Sequence, residues 1–191
     1  GRNQEVGETL ARTYGIPFFI DFNEFINMPT DIIVEVATVE VARNYMKDVL
    51  QHEKDIIISS IGAFKDETFL HAMEQLAEAH RRQIHLPSGA IGGLDLLQSA
   101  QALGGLTQVS LTTRKSPASL GLADVQSESV LYKGSAKDAI EQFPKNVNVA
   151  LLLSIAGIGV DKTEVTVIAD PNIQESRRPS GLRKTIRAPN S

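Results

Sequence analysis

Three short stretches of this 191-residue chain carry backbone or side chains suited to chemistry. The first, LPSGAIGGLDLL from Leu86 to Leu97, runs small residues and three glycines into an apolar helical pattern. It is not a Walker-type phosphate loop, which needs Lys and then Ser or Thr after its last glycine, because Gly93 is followed by Leu94 and Asp95. Nor is it the fingerprint G-x-G-x-x-G, since Gly89, Gly92 and Gly93 give G-x-x-G-G. What it offers is bare backbone where a strand ends and a helix begins, a place where unpaired amides favour a negative or polar ligand group. A tight turn leading into a helix accounts for the same residues.

The second stretch, FPKNVNV from Phe143 to Val149, stops one helix at a proline and starts another with Lys145, Asn146 and Asn148. These groups can donate to carboxylate or carboxamide oxygens, or serve as plain helix caps. The third, TTRK from Thr112 to Lys115, puts two cations at a strand end. There they can clamp an acidic substrate or face solvent. The four histidines, at 52, 71, 80 and 85, have neither the helical pair spacing of a metal site nor a neighbouring acidic motif, and they read as structural. No cysteine occurs, which excludes disulfides, thiolate-bound zinc and a cysteine nucleophile.

Alternating strands and helices position these stretches. Val6, Leu10 and Tyr14 predict an amphipathic helix ending at Gly15, followed by a short strand, Pro17 to Ile20. The apolar run DIIVEV (Asp31 to Val36) predicts a strand, and Ala42, Tyr45, Met46, Val49 and Leu50 share a helical face after it. The unit repeats as strand Asp55 to Ser60, helix Asp66 to Arg82 and strand Gln83 to Leu86, an order that argues for a parallel sheet covered by helices. Beyond Gly89 come a helix near Gly93 to Leu103, strand Gln108 to Thr113, strand Val130 to Lys133, a helix stopped by Pro144, a more apolar helix from Val147, and the β-branched strand Glu164 to Ile168. No internal repeat or low-complexity segment interrupts the chain.

With 42% hydrophobic residues the chain can fill a core, and the composition is that of a soluble globular protein. No run approaches the ~20 apolar residues of a membrane span, and GRNQEVGETL lacks the layout of a signal peptide, so the expected location is cytoplasmic with no membrane partner. The net charge of -4 is uneven. Residues 175–191 hold five basic side chains against one acidic, a tail of +4, which leaves -8 on residues 1–174. An acidic body disfavours nucleic acid. The tail, with two prolines and no periodicity, reads as disordered.

The segments LPSGAIGGLD (86–95), YKGSAKDAIEQFPKNVNVALLLSIAGIGVDKTEV (132–165) and IADP (168–171) together closely resemble the L-aspartate dehydrogenase family. RNQEVGETLARTYGIP (2–17), DIIVEVAT (31–38) and IISSIGAF (57–64) agree in order and spacing, so the likeness runs from about Arg2 to Gln174. The resemblance implies NAD- or NADP-dependent oxidation of L-aspartate to iminoaspartate, which yields oxaloacetate and ammonia or feeds NAD biosynthesis. It also implies a homodimer paired through the second domain's sheet. Carried over by motif, Ala90 of the SGA segment and Asn148 of PKNVN match cofactor-binding positions. Small residues at 89 and 90 would let the nicotinamide approach the substrate, and the Asn148 carboxamide would orient an amide or ribose.

The departures from the family are equally specific. If Pro17 to Ile20 and Asp31 to Val36 are strands 3 and 4 of a doubly wound sheet of order 3-2-1-4-5-6, strands 1 and 2 with their glycine fingerprint do not fall within this sequence. The family's catalytic histidine, in an N-x-H-E pattern, would stand near Arg178, and a guanidinium cannot act as a general base near neutral pH. No catalytic residue is therefore assigned, and the loss of pattern after Gln174 points to an altered terminus. The expected fold is α/β: residues 1–86 an incomplete Rossmann-like parallel sheet domain lacking its first two strands, 87–174 an α+β dehydrogenase C-terminal domain for catalysis and dimerisation, and 175–191 the basic tail. Two other readings compete: a catalytically impaired remnant that at most binds a ligand or dimerises, and a relative acting on homoserine or another amino acid.

Overall fold

The computed structural model describes residues 3–89, 91–122, 125–143, 147–173 and 183–187. Two compact units form, Gly1–Ser59 with His71–His85, and Ser60–Leu70 with Leu86–Ser191. Residues 60–70 thus join the second unit, whereas the sequence places one boundary at 86/87. Among the described residues no helix is long and apolar enough to cross a membrane.

In the first unit, helix α1 (Gln4–Tyr14) begins where the Asn3 side chain accepts from the Val6 amide and ends at Gly15, whose φ of 64° gives the left-handed turn expected there. Strands β1 (Ile32–Glu35), β2 (Asp55–Ile58) and β3 (Ile84–His85) lie side by side in that order, all parallel. This is the Rossmann-like sheet the alternation predicts. Helices α3 (Val39–Gln51) and α4 (Glu67–His80) supply Met46, Val49, Leu50, Met73 and Ala77 to a core with Ile33, Ile56 and Ile58. The other face of β1 leaves Ile32 and Val34 exposed. Lys54 is buried, and its ammonium donates to the carbonyls of Met28 and Thr30 at 2.8 and 2.7 Å, pinning the turn before β1.

The strand expected at Pro17 to Ile20 does not form. A strand requires a neighbour to take its backbone hydrogen bonds, and among the described residues the sheet ends at β1, which pairs with β2 alone. The chain instead turns into helix α2 (Phe22–Ile26), with the Asp21 carboxylate accepting from the amides of Asn23 and Glu24 at 2.6 and 3.2 Å.

The second unit is built on a mixed sheet of order β5-β6-β4-β7, from β4 (Gln108–Lys115), β5 (Ser129–Ser135), β6 (Thr163–Ala169) and β7 (Arg183–Arg187). β4 and β6 are parallel, while β5 and β7 run antiparallel to their neighbours. Helix α5 (Leu94–Ala102), helix α6 (Ala136–Gln142) and the almost wholly apolar α7 (Val147–Ala156) bring Leu97, Ala139, Ile140, Leu151, Leu152 and Leu153 into the core. Gly157 lets these layers close: a Cβ there would lie 2.9 Å from the Leu153 carbonyl oxygen and 3.3 Å from Val109 Cγ2. β7 falls where the composition of the tail predicts no strand. Its pairing comes from the unpaired edge of β4, a template that local sequence pattern does not reveal.

Candidate functional site

The pleat of β4 divides the TTRK cluster between two faces. Side chains alternate along a strand, so Leu111, Thr113 and Lys115 share one face and Thr112 and Arg114 the other. Arg114 is neutralised: its Nη1 pairs with Glu128 Oε2 and lies 4.0 Å from Asp170 Oδ2. Of the two cations at this strand end, Arg114 is thus held by carboxylates and is not available to clamp an acidic substrate. Lys115 has no carboxylate within ion-pair distance among the described residues, and its carbonyl accepts from the Asp170 amide at 2.8 Å, which fixes the end of the strand.

Lys115 opens into a cavity of about 280 Å³ over the sheet. The floor is Leu111, Thr113, Val165 and Val167, paired in register as Leu111 with Val165 and Thr113 with Val167. Ala139, Ile140 and Phe143 line one wall from the end of α6, and Asn148, Val149 and Ala150 the other from the first turn of α7. Polar groups enter through Thr113, Lys115 and Asn148 against an otherwise apolar lining. A small apolar pocket with a few convergent polar groups is the general form of a small-molecule site.

Asn148 sits at the second residue of α7 and is exposed. Its Oδ1 accepts from the Gly62 amide at 2.9 Å, tying the 3-10 turn Ile61–Lys65 to the start of α7. Ile61, Ala63 and Phe64 of that turn are buried. The periodicity of the sequence did not reveal this turn; its signal was the segment IISSIGAF, which carried the family resemblance. Ala90 lies outside the described residues, as do Pro144, Lys145 and Asn146 of the second candidate stretch.

The rest of the glycine loop is a tight turn. The Ile91 amide donates to the Ser88 carbonyl at 2.9 Å, Gly89 and Gly93 have φ of 55° and 73°, and Ile91 is buried. Nothing lies within 4 Å of where a Cβ would project from Gly89 or Gly92, so open space faces this backbone. The positive φ at Gly89 and Gly93 explains the glycines there, and Gly93 serves as the N-cap of α5.

Two of the four histidines have local partners. His52 caps α3 with its Nδ1 2.7 Å from the Asp48 carbonyl oxygen, and His71 pairs with Glu74 at 3.1 Å on an exposed helical face. Among the described residues no group of three or more His, Asp or Glu side chains is placed to hold a metal ion.

Two families match consecutive parts of the chain: one described as homoserine dehydrogenase, NAD binding domain, over residues 6–87, and one described as aspartate dehydrogenase, C-terminal, over residues 95–178. An L-aspartate dehydrogenase of Nitrosopumilus maritimus is 40% identical over 161 residues, covering 78% of this chain and 58% of that protein. One from Methanococcus maripaludis strain C7 is 36% identical over 184 residues, covering 92% of this chain and 68% of its relative. The crystal structure of aspartate dehydrogenase from Thermotoga maritima superposes with a TM-score of 0.72 at 34% identity, over 83% of this chain and 65% of that one. The chain thus spans roughly three fifths to two thirds of the length of these relatives.

Proposed function

Because this chain belongs to the L-aspartate dehydrogenase family, we propose that the protein oxidises L-aspartate to iminoaspartate with NAD or NADP as hydride acceptor. The observation that carries the reading is the 36% identity to an L-aspartate dehydrogenase over 92% of the chain. The iminoaspartate hydrolyses to oxaloacetate and ammonia, or supplies NAD biosynthesis. The protein acts in the cytoplasm as a homodimer paired through the sheet of the second unit. The exposed apolar residues of edge strand β5, Val130 and Leu131, support pairing at that sheet.

When bound, the nicotinamide supplies a two-electron acceptor for the hydride from the substrate α-carbon. The residues present fit its nicotinamide-ribose end: the backbone of Gly89 and Gly92 faces open space, and the Asn148 carboxamide stands at a helix start. Ala90 and Asn148 are the proposed contacts. Asn148 is held in place by Gly62, which fixes its carboxamide plane for a polar ligand group. The apolar walls Ile140, Phe143 and Val149 lower the polarity of the neighbouring cavity, which strengthens a charge interaction made against them.

Initial rates of NADH formation on mixing the protein with NAD and L-aspartate test the reading. Turnover well above a blank, and above that with L-homoserine, is expected. Arg178 at the position where the family carries a histidine favours a second reading, a remnant that binds ligand without turnover. Saturable L-aspartate binding with no NADH formation would select that remnant.

A further inference from the structure

Among the described residues, the cation in the cavity above β4 has no carboxylate partner. Lys115 is half-buried and lines a space otherwise bounded mostly by Leu111, Ile140, Phe143, Val149 and Val167, and no described carboxylate pairs with it. Its neighbour Arg114, one residue away, meets two carboxylates on the opposite face. An ammonium against apolar walls is stabilised by an anion that enters with it, and a volume of about 280 Å³ sits at the small end of ligand sites. Thr113, two residues back on the same face, adds a hydroxyl that donates to such an anion.

We infer that Lys115, assisted by Thr113, anchors the side-chain carboxylate of an acidic amino acid and so sets the specificity of this site. The identity of the ligand rests on the function proposed above; the presence of a carboxylate anchor rests on the cavity itself. A site that offers a charged donor rejects a substrate lacking the acceptor, because the donor is then left unpaired. The lining side chains bring no counter-charge of their own, so charge discrimination falls on Lys115, with Thr113 and Asn148 as the neutral polar groups beside it.

Calorimetric titration of the whole chain with L-aspartate, succinate and L-alanine tests the anchor. The unsubstituted protein is expected to bind L-aspartate and succinate, and Lys115→Met to weaken both by about 10- to 100-fold while leaving L-alanine unchanged. Lys115→Arg restores part of the loss, and Thr113→Val loses less than Lys115→Met. The melting temperature of Lys115→Met is expected to be unchanged or raised, since an apolar side chain of similar length fits an apolar lining. Equal affinity of the parent and Lys115→Met for the dicarboxylates, or no binding by the parent, overturns the anchor. Lys115-dependent binding of L-aspartate without NADH formation supports the anchor and rejects the proposed reaction. Aspartate oxidation with KM and kcat both unaltered in Lys115→Met does the reverse.

Discussion

Asn148 and Gly62 are 86 positions apart in the chain and meet through one hydrogen bond, the Gly62 amide donating to Asn148 Oδ1 at 2.9 Å. The bond joins the first turn of α7 to the buried 3-10 turn Ile61–Lys65. It gives Asn148 two separable tasks, holding that turn and presenting a carboxamide at a helix start.

Substitution separates the two tasks. Asn148→Asp keeps the acceptor oxygen and places a negative charge at a helix N-terminus, where it is tolerated, so stability should stay within ~0.5 kcal/mol of the parent. Asn148→Leu loses the acceptor and should cost about 1 kcal/mol in urea denaturation. Both should weaken NADH binding, followed by quenching or enhancement of the cofactor's fluorescence. Unchanged NADH affinity in both would remove Asn148 from the cofactor site.

Arg114 serves as the control for its neighbour. Its partners Glu128 and Asp170 already neutralise it, and the ion pair is partly exposed, with 31% of the Arg114 and 48% of the Glu128 side chain accessible. Arg114→Met should therefore change stability by less than ~1 kcal/mol and leave the KM for L-aspartate unaltered. A large rise in KM would return Arg114 to the substrate site.

Lys54 holds the turn before β1 with two short hydrogen bonds to carbonyl oxygens, from a buried position. Lys54→Met leaves the Met28 and Thr30 carbonyls without their charged donor, and a loss of about 2–3 kcal/mol is expected by denaturant unfolding. Lys54→Arg should recover part of it, because a guanidinium still donates but no longer fits as a compact point donor.

Tyr132 gives the fold an alkaline limit. Burial is the main reason its phenol titrates above the usual 10.0, and its hydroxyl donates to the Ser135 carbonyl at 2.8 Å. A folded value above the unfolded one means that the protonated phenol contributes stability fully below pH 10.0 and loses it as pH rises through the higher folded value. Melting temperature should fall on raising pH through that window, and Tyr132→Phe should flatten the fall while costing about 1 kcal/mol at neutral pH.

Much of the local structure was legible from the sequence because it depends on neighbours in sequence. The spacing of Val6, Leu10 and Tyr14 and the glycine at 15 gave α1 with its left-handed cap. The helix stopped before Pro144 ends at Gln142, and the β-branched run at 164–168 lies within β6. Asn148 stood out as a polar group at a helix start and Ala90 as part of the glycine loop, whereas their cofactor roles came from the resemblance, since residue type and spacing fit a plain cap and a tight turn equally well.

Where pairing decides, local pattern misled. Pro17 to Ile20 has strand-like residues but no partner strand among the described residues, and the basic tail has no strand pattern yet Arg183–Arg187 pairs with β4 because that edge offers free hydrogen-bonding groups. The TTRK cluster was visible as two cations. That Glu128 and Asp170 would claim one and leave the other over an apolar cavity followed from strands brought together from distant parts of the chain. The sequence by itself therefore determined the family, the alternation of elements and the presence of the glycine loop, all properties of short-range pattern. Only the tertiary structure decided which of the two cations meets carboxylates and what Asn148 holds, because both depend on contacts between residues far apart in sequence.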